Sequence, residues 1–179
     1  MGLGRSPAIG AQQAMVEMSV AAIALDAASR SPIVLLRDPS GRRQVPIWID
    51  QAQAQNILAG VNRVRPPRPL SHDLMVSLME AGGLSLERVI IHAIEDNTFR
   101  AVLKVLDGAG NPHEVDARPS DAIAIALRFG APIYVDDKIF DKSQMVDGDY
   151  EVLNKSEDGK KWAEYLENLN PEDFGKYKV

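Results

Sequence analysis

Apolar-rich runs at residues 16–26 and 31–38 flank the short connection Ala27-Ala28-Ser29-Arg30 and predict two strands. Asp38-Pro39-Ser40-Gly41 then places Pro and Gly where a turn requires them. Gln44-Val45-Pro46-Ile47-Trp48-Ile49 reads as a third strand. Asp50 is placed to cap a helix over 51–61, whose apolar stripe is Ala52, Ala54, Ile57 and Leu58. The segment 62–69 carries three prolines and three arginines, which makes an extended basic loop. A second helix is expected over 73–81, capped by Ser71 and closed by Gly82-Gly83.

From Leu84 the pattern starts again. Strands are expected at 88–95 and 98–106 around the tight-turn pair Asp96-Asn97, and a third at 113–117 after the turn 107–111. Pro119 has no N–H and stops strand pairing. Ser120 then stands where an N-cap belongs, with Asp121 in the first turn, where the helix dipole favours a carboxylate. Ala122-Ile123-Ala124-Ile125-Ala126-Leu127 is apolar on every face, so this helix should be buried. Gly130 suits a left-handed C-cap, and Pro132 prevents continuation. With a shift of about 70 residues, Val45 falls near Val115, Asp50 on Ser120, Ala52 on Ala122 and Ala54 on Ala124. The expected fold class is α+β: duplicated strand–strand–strand–helix units forming a mixed, largely antiparallel sheet flanked by helices.

A short strand follows at 133–135. Near the C-terminus Ser156 is placed to cap an amphipathic helix in which Trp162, Tyr165, Leu166 and Leu169 share a face. The expected organisation is a disordered extension over 1–14, one domain over 15–150, and a helical tail over 151–179 packing back through Trp162 and Phe174.

Composition narrows the chemistry. The chain of 179 residues has no cysteine, which excludes disulfides, thiolate nucleophiles and cysteine-bound metal centres. No run of eighteen apolar residues and no signal-type segment occurs, so a soluble, cytoplasmic protein without membrane attachment is expected. A formal net charge of −5 argues against a constitutive nucleic-acid coat, yet leaves room for an enzyme that grips a nucleic acid locally. Arg63, Arg65 and Arg68 form the main local basic patch, without an aromatic residue among them. The spacings of a phosphate-cradling Gly-rich loop, a nucleophile elbow, a His-Glu-x-x-His zinc site and a calcium loop are all absent from the sequence.

The candidate chemistry gathers at the start of the buried helix. Asp116 and Asp121 lie on either side of a tight corner, where two carboxylates can converge on a metal ion. Arg118 offers a planar guanidinium that takes two phosphate oxygens. The plainer alternative has Asp121 stabilising the helix start and Asp116 pairing with Arg118. His72 lies in a first helical turn beside Asp73, an arrangement suited to proton transfer. His92, inside Val89-Ile90-Ile91-His92-Ala93-Ile94, reads as a buried core histidine, and His113 as exposed.

Several segments occur in a telling order: Pro46-Ile47-Trp48-Ile49, Arg68-Pro69-Leu70-Ser71-His72-Asp73-Leu74, Val89-Ile90-Ile91-His92, Asp96-Asn97-Thr98-Phe99, Arg118-Pro119-Ser120-Asp121-Ala122-Ile123 and Gly130-Ala131-Pro132-Ile133-Tyr134-Val135. Over residues 15–146 the chain resembles the bifunctional nuclease domain, a family of bacteria and plants credited with DNase and RNase activity. The resemblance implies two similar strand–helix repeats and a nuclease acting on DNA or RNA, with a divalent metal (Mg or Mn) assisting. On that reading the catalytic set is Asp116, Asp121, His72 and Asp73, with Asp116 and Asp121 as metal ligands. Phosphate would be bound by Arg118, Ser120 and Arg68. Many members carry acidic residues after the Pro-Ile-Trp-Ile strand, where this chain has Gln51 and Gln53. A homodimer through exposed strand edges is the expected assembly. The rival expectation is a non-enzymatic ligand- or protein-binding domain with a regulatory role.

Overall fold

Two runs of three antiparallel strands, each followed by a helix, build the chain. The computed structural model describes residues 14–142 and 150–152. In the first run β1 (Met15–Asp26) pairs with β2 (Pro32–Arg37), and β2 with β3 (Gln44–Trp48). Helices α1 (Gln51–Val61) and α2 (Ser71–Ala81) follow. In the second run β4 (Ser85–Glu95) pairs with β5 (Thr98–Leu106), and β5 with β6 (Pro112–Ala117), before helix α3 (Pro119–Phe129). Then come β7 (Ile133–Asp136), α4 (Lys138–Lys142) and β8 (Tyr150–Val152).

The strands join in one mixed sheet of order β3-β2-β1-β7-β4-β5-β6, with β8 added alongside β1. Only the β4–β7 pairing is parallel among the described ladders, so the α+β, largely antiparallel architecture expected from the sequence is the one observed. β7 stands between the two runs, antiparallel to β1 through Met18↔Ile133 and parallel to β4 through Val89↔Ile133. Pro46 sits in β3, an edge strand, where a missing N–H leaves no neighbour unsatisfied.

Alternation sorts the side chains. Ile23, Leu25, Val34, Leu36, Val45 and Ile47 from the first run, with Val89, Ile91, Leu103 and Val105 from the second, form the core beneath the helices. The expected burial of α3 is borne out: Ala122 to Ala126 are all buried. Helices α1 and α3 approach closely at Gly60, where an added Cβ would lie 2.9 Å from Leu127 Cβ, so only glycine permits the contact without a shift. Gly130 adopts φ 68°, the left-handed C-cap anticipated from its place before Pro132.

Helix α2 is attached by one face. His72 is its one buried residue, while Leu74, Met75 and Leu78 are exposed. The extension before residue 14 and the amphipathic helix expected around Trp162 lie outside the described residues. Tyr150–Val152, at the expected boundary between domain and tail and ahead of the helix expected after Ser156, forms a strand on β1.

Candidate functional site

Ser71 and Ser120, each expected at a helix N-cap, do not occupy one. The cap of α3 is Arg118, with Pro119 first in the helix, and that of α2 is Leu70. The reason is conformational: proline's fixed φ suits the first helical position, which moves the boundary two residues ahead of Ser120. Counting from the true caps, Arg118 corresponds to Asp50, the α1 cap, rather than Ser120 to Asp50. The two equivalent caps differ in chemistry. Asp50 accepts from Gln53 N–H at 2.7 Å and completes a capping box, whereas α3 has no side-chain cap at all. The first amides of α3 therefore remain available at a positive helix end.

At this end three side chains interlock. Arg118 donates through Nε to Asp121 Oδ2 (2.6 Å) and through Nη2 to Oδ1 (3.2 Å). His72, from α2, is hydrogen-bonded through Nε2 to Asp121 Oδ1 at 2.9 Å. A carboxylate only accepts, so Nε2 carries the proton. Burial raises the Asp121 pKa, but hydrogen bonds from Arg118 and His72, with their charges, outweigh it and leave the value below the ordinary 3.8. The same pairing raises Arg118, first through its hydrogen bond to Asp121 and further through the charges of Asp121 and Asp50. His72 is buried, whereas the Arg118 side chain is 67% exposed and presents its remaining nitrogen outward.

A pocket of about 280 Å³ opens beside Arg118. Its walls include Trp48 and Gln53, Asn97, Thr98 and Phe99 at the β4–β5 hairpin, and Pro119 and Ser120. Ser120 is only 5% exposed. Trp48, Asn97 and Thr98 were not singled out as site residues by sequence reasoning. The available signal was Trp48 itself, a large apolar side chain left exposed at the end of a strand, on the face opposite Val45 and Ile47.

The other expected site residues lie elsewhere. Asp116 and Asp121 do not converge. Asp116 pairs in register with Val102, and Glu114 with Lys104, on the sheet face opposite the helices. There Asp116 lines a separate groove with His92, Lys104 and Glu114. The two-residue period of β6 carries Asp116 away from the corner, while Ala117 turns towards the core. His92, expected in the core, is exposed in the same groove, at a register irregularity between Ile91 and Ala93. Asp73 does not orient His72. It accepts from Arg128 Nε at 2.6 Å and from Leu70 N–H at 2.8 Å. Arg68 is exposed.

These positions bear on the expected metal. Both Asp121 oxygens are engaged by cationic or N–H donors, and Asp116 is on another face. Among the described residues no group of three or more His, Asp or Glu side chains is arranged to hold a metal ion. The residues at the corner thus do not fit a divalent-metal site, and no chemical step is assigned to one.

The pairing has a pH signature. Asp38, Asp107 and Asp121 all have folded pKa values below 3.8. Asp38 is lowered chiefly by Ser40, and Asp107 chiefly by Asn111 and then His113. On acidification the unfolded chain takes up their protons first, so their stabilisation is complete above about pH 4 and is lost as pH falls through the folded values. Urea midpoints measured from pH 6 to pH 2 should show this fall, and Asp121→Asn should make it shallower.

Fold and site together define a two-repeat α+β domain with an arginine-bearing cleft at the uncapped end of its central helix. The family model of the bifunctional nuclease domain matches residues 34–147, and the chain belongs to that family. An uncharacterized protein of Mycobacterium tuberculosis (strain ATCC 25618 / H37Rv) is 38% identical over 165 residues, covering 89% of this chain and 98% of its own length. Bifunctional nuclease 1 of Oryza sativa subsp. indica is 30% identical over 117 residues, 64% of this chain and 35% of the plant protein. The bifunctional nuclease of Oryza minuta matches to the same extent. Among the described residues no helix is long and apolar enough to cross a membrane.

Proposed function

We propose that this protein is a nuclease that hydrolyses phosphodiester bonds of DNA and RNA at the Arg118 corner. The observation carrying this reading is the combination of family membership with a fixed, outward-facing guanidinium at an uncapped helix N-terminus. A phosphate there accepts from the outer nitrogen of Arg118, from the Ser120 hydroxyl and from the first free amides of α3. Those donors offset charge as it builds on the phosphate in the transition state. Asp121 and His72 act as positioning residues that hold the guanidinium plane. The depressed pKa of Asp121 makes it a weak base, so its main contribution is orientation rather than proton removal.

The test is cleavage of labelled single-stranded DNA and RNA by wild type and Arg118→Ala purified identically, each with and without a chelator. Loss of cleavage in the variant supports the site, and equal cleavage by both overturns it. The chelator arm reports separately whether the expected Mg or Mn participates.

The exposed face of α2 favours a second reading, a protein-binding domain. Leu74, Met75 and Leu78 present apolar surface to solvent from one short helix. On that reading a second copy of the chain covers them. Light scattering should then give twice the chain mass, and Leu78→Asp should restore the single-chain value; a single-chain mass in the wild type removes this reading.

A further inference from the structure

We infer that the pocket beside Arg118 takes one unpaired nucleotide, with its base stacked on Trp48 and its phosphate at Arg118. This rests on the reading of the corner as a phosphate-binding site, and it adds the class of nucleic acid admitted. Trp48 is 44% exposed and lines the pocket together with Phe99. A large exposed aromatic on a pocket wall is a stacking platform that accepts any base with a free π-face.

Polar groups stand where a base edge would reach. Asn97 and Thr98 line the pocket from the tip of the β4–β5 hairpin, where Asp96 and Asn97 both have positive φ (48° and 58°). That pair of left-handed residues is the geometry of a tight two-residue turn, which fixes the tip. The Asn97 amide offers both a donor and an acceptor, so it suits several bases. Gln53 supplies a further amide, whose oxygen is already held by Asp50 N–H at 2.8 Å. Ser120 is 5% exposed and lines the pocket, where its hydroxyl adds a group that can both donate and accept.

Size and charge select the unpaired form. The pocket of about 280 Å³ lies near the lower limit for small-molecule sites, a size for one nucleotide rather than a base pair. Arg118 is its one charged lining residue, and the chain carries a net −5, so the pocket lacks the cationic track that duplex binding needs. The larger groove on the opposite face is a poorer match, since its lysine, Lys104, is already paired with Glu114. A base held in a duplex already has both faces stacked and cannot reach Trp48. A single strand, a loop or a frayed end can.

The chain has two tryptophans, so Trp162→Phe leaves Trp48 as the reporter. In that background a single-stranded decamer should quench the remaining tryptophan emission. The same sequence as a blunt duplex should need at least tenfold higher concentration, and inorganic phosphate should not quench. By fluorescence anisotropy, Trp48→Ala should weaken single-strand binding about tenfold or more, while Trp48→Phe keeps most of it. Equal affinity for strand and duplex, or unchanged binding by a folded Trp48→Ala, overturns the inference. Strand-selective quenching without any cleavage would retain the pocket and reject the nuclease reading; cleavage without strand preference would do the reverse.

Discussion

Arg128→Ala is expected to lower the free energy of unfolding by about 3 kcal/mol, the cost of breaking a buried ion pair from one side. The Arg128 side chain is 9% exposed and ties three helices together. Its Nε donates to Asp73 on α2, and its Nη1 donates to the carbonyls of Asn56 on α1 and Ala124 on α3. Removing it takes one donor from Asp73, which keeps Leu70 N–H, and the side-chain donor from two helix carbonyls. Asp73→Asn should cost less, because Arg128 keeps both carbonyl partners and Asp73 lies partly in solvent. Urea unfolding should show the alanine variant's midpoint lower by more than 1 M, given a typical slope of about 2 kcal/mol/M. A loss below about 1 kcal/mol would mean that the three helices do not depend on this side chain.

The second large effect concerns activity. Arg118→Ala is expected to reduce phosphodiester cleavage by about 100-fold, the usual loss when a positioned donor to a developing anion is removed. Its stability should change by less than about 1 kcal/mol, because the pair with Asp121 is largely solvated on the arginine side. Arg118→Lys should recover little: an ammonium cannot make the two-point contact with Asp121 that fixes the plane. Steady-state rates on a single-stranded substrate, set beside urea midpoints, separate the two effects. A variant that cleaves like wild type would remove Arg118 from the chemistry.

Much of this architecture was legible because its signals are local. The apolar run of α3, the turns at Asp38-Pro39 and Asp96-Asn97, and the glycine before Pro132 each have one conformational answer. The repeat was visible for the same reason, although its register slipped by two residues where Pro119 sets the start of α3. What escaped was set across distance. The partner of Asp73 is Arg128, 55 residues away, and that of His72 is Asp121, 49 residues away. No spacing rule connects such pairs. Asp116 is different, since its orientation follows from strand alternation, and strict application of that period to β6 would have turned it off the corner. His92 misled because the buried run Val89-Ile90-Ile91 before it and the apolar pair after it concealed the register irregularity at which it turns outward.

The place of β7 has a consequence for biosynthesis. Met15–Met18 find their β7 partners in Ile133–Asp136, more than a hundred residues downstream. During translation, the inner margin of the first meander must wait, unzipped, until nearly three quarters of the polypeptide has left the ribosome. Until then it is an open invitation to neighbouring nascent chains. Truncation before Ile133 should therefore leave two pieces of sheet with no strand to seam them, joined through their helices alone.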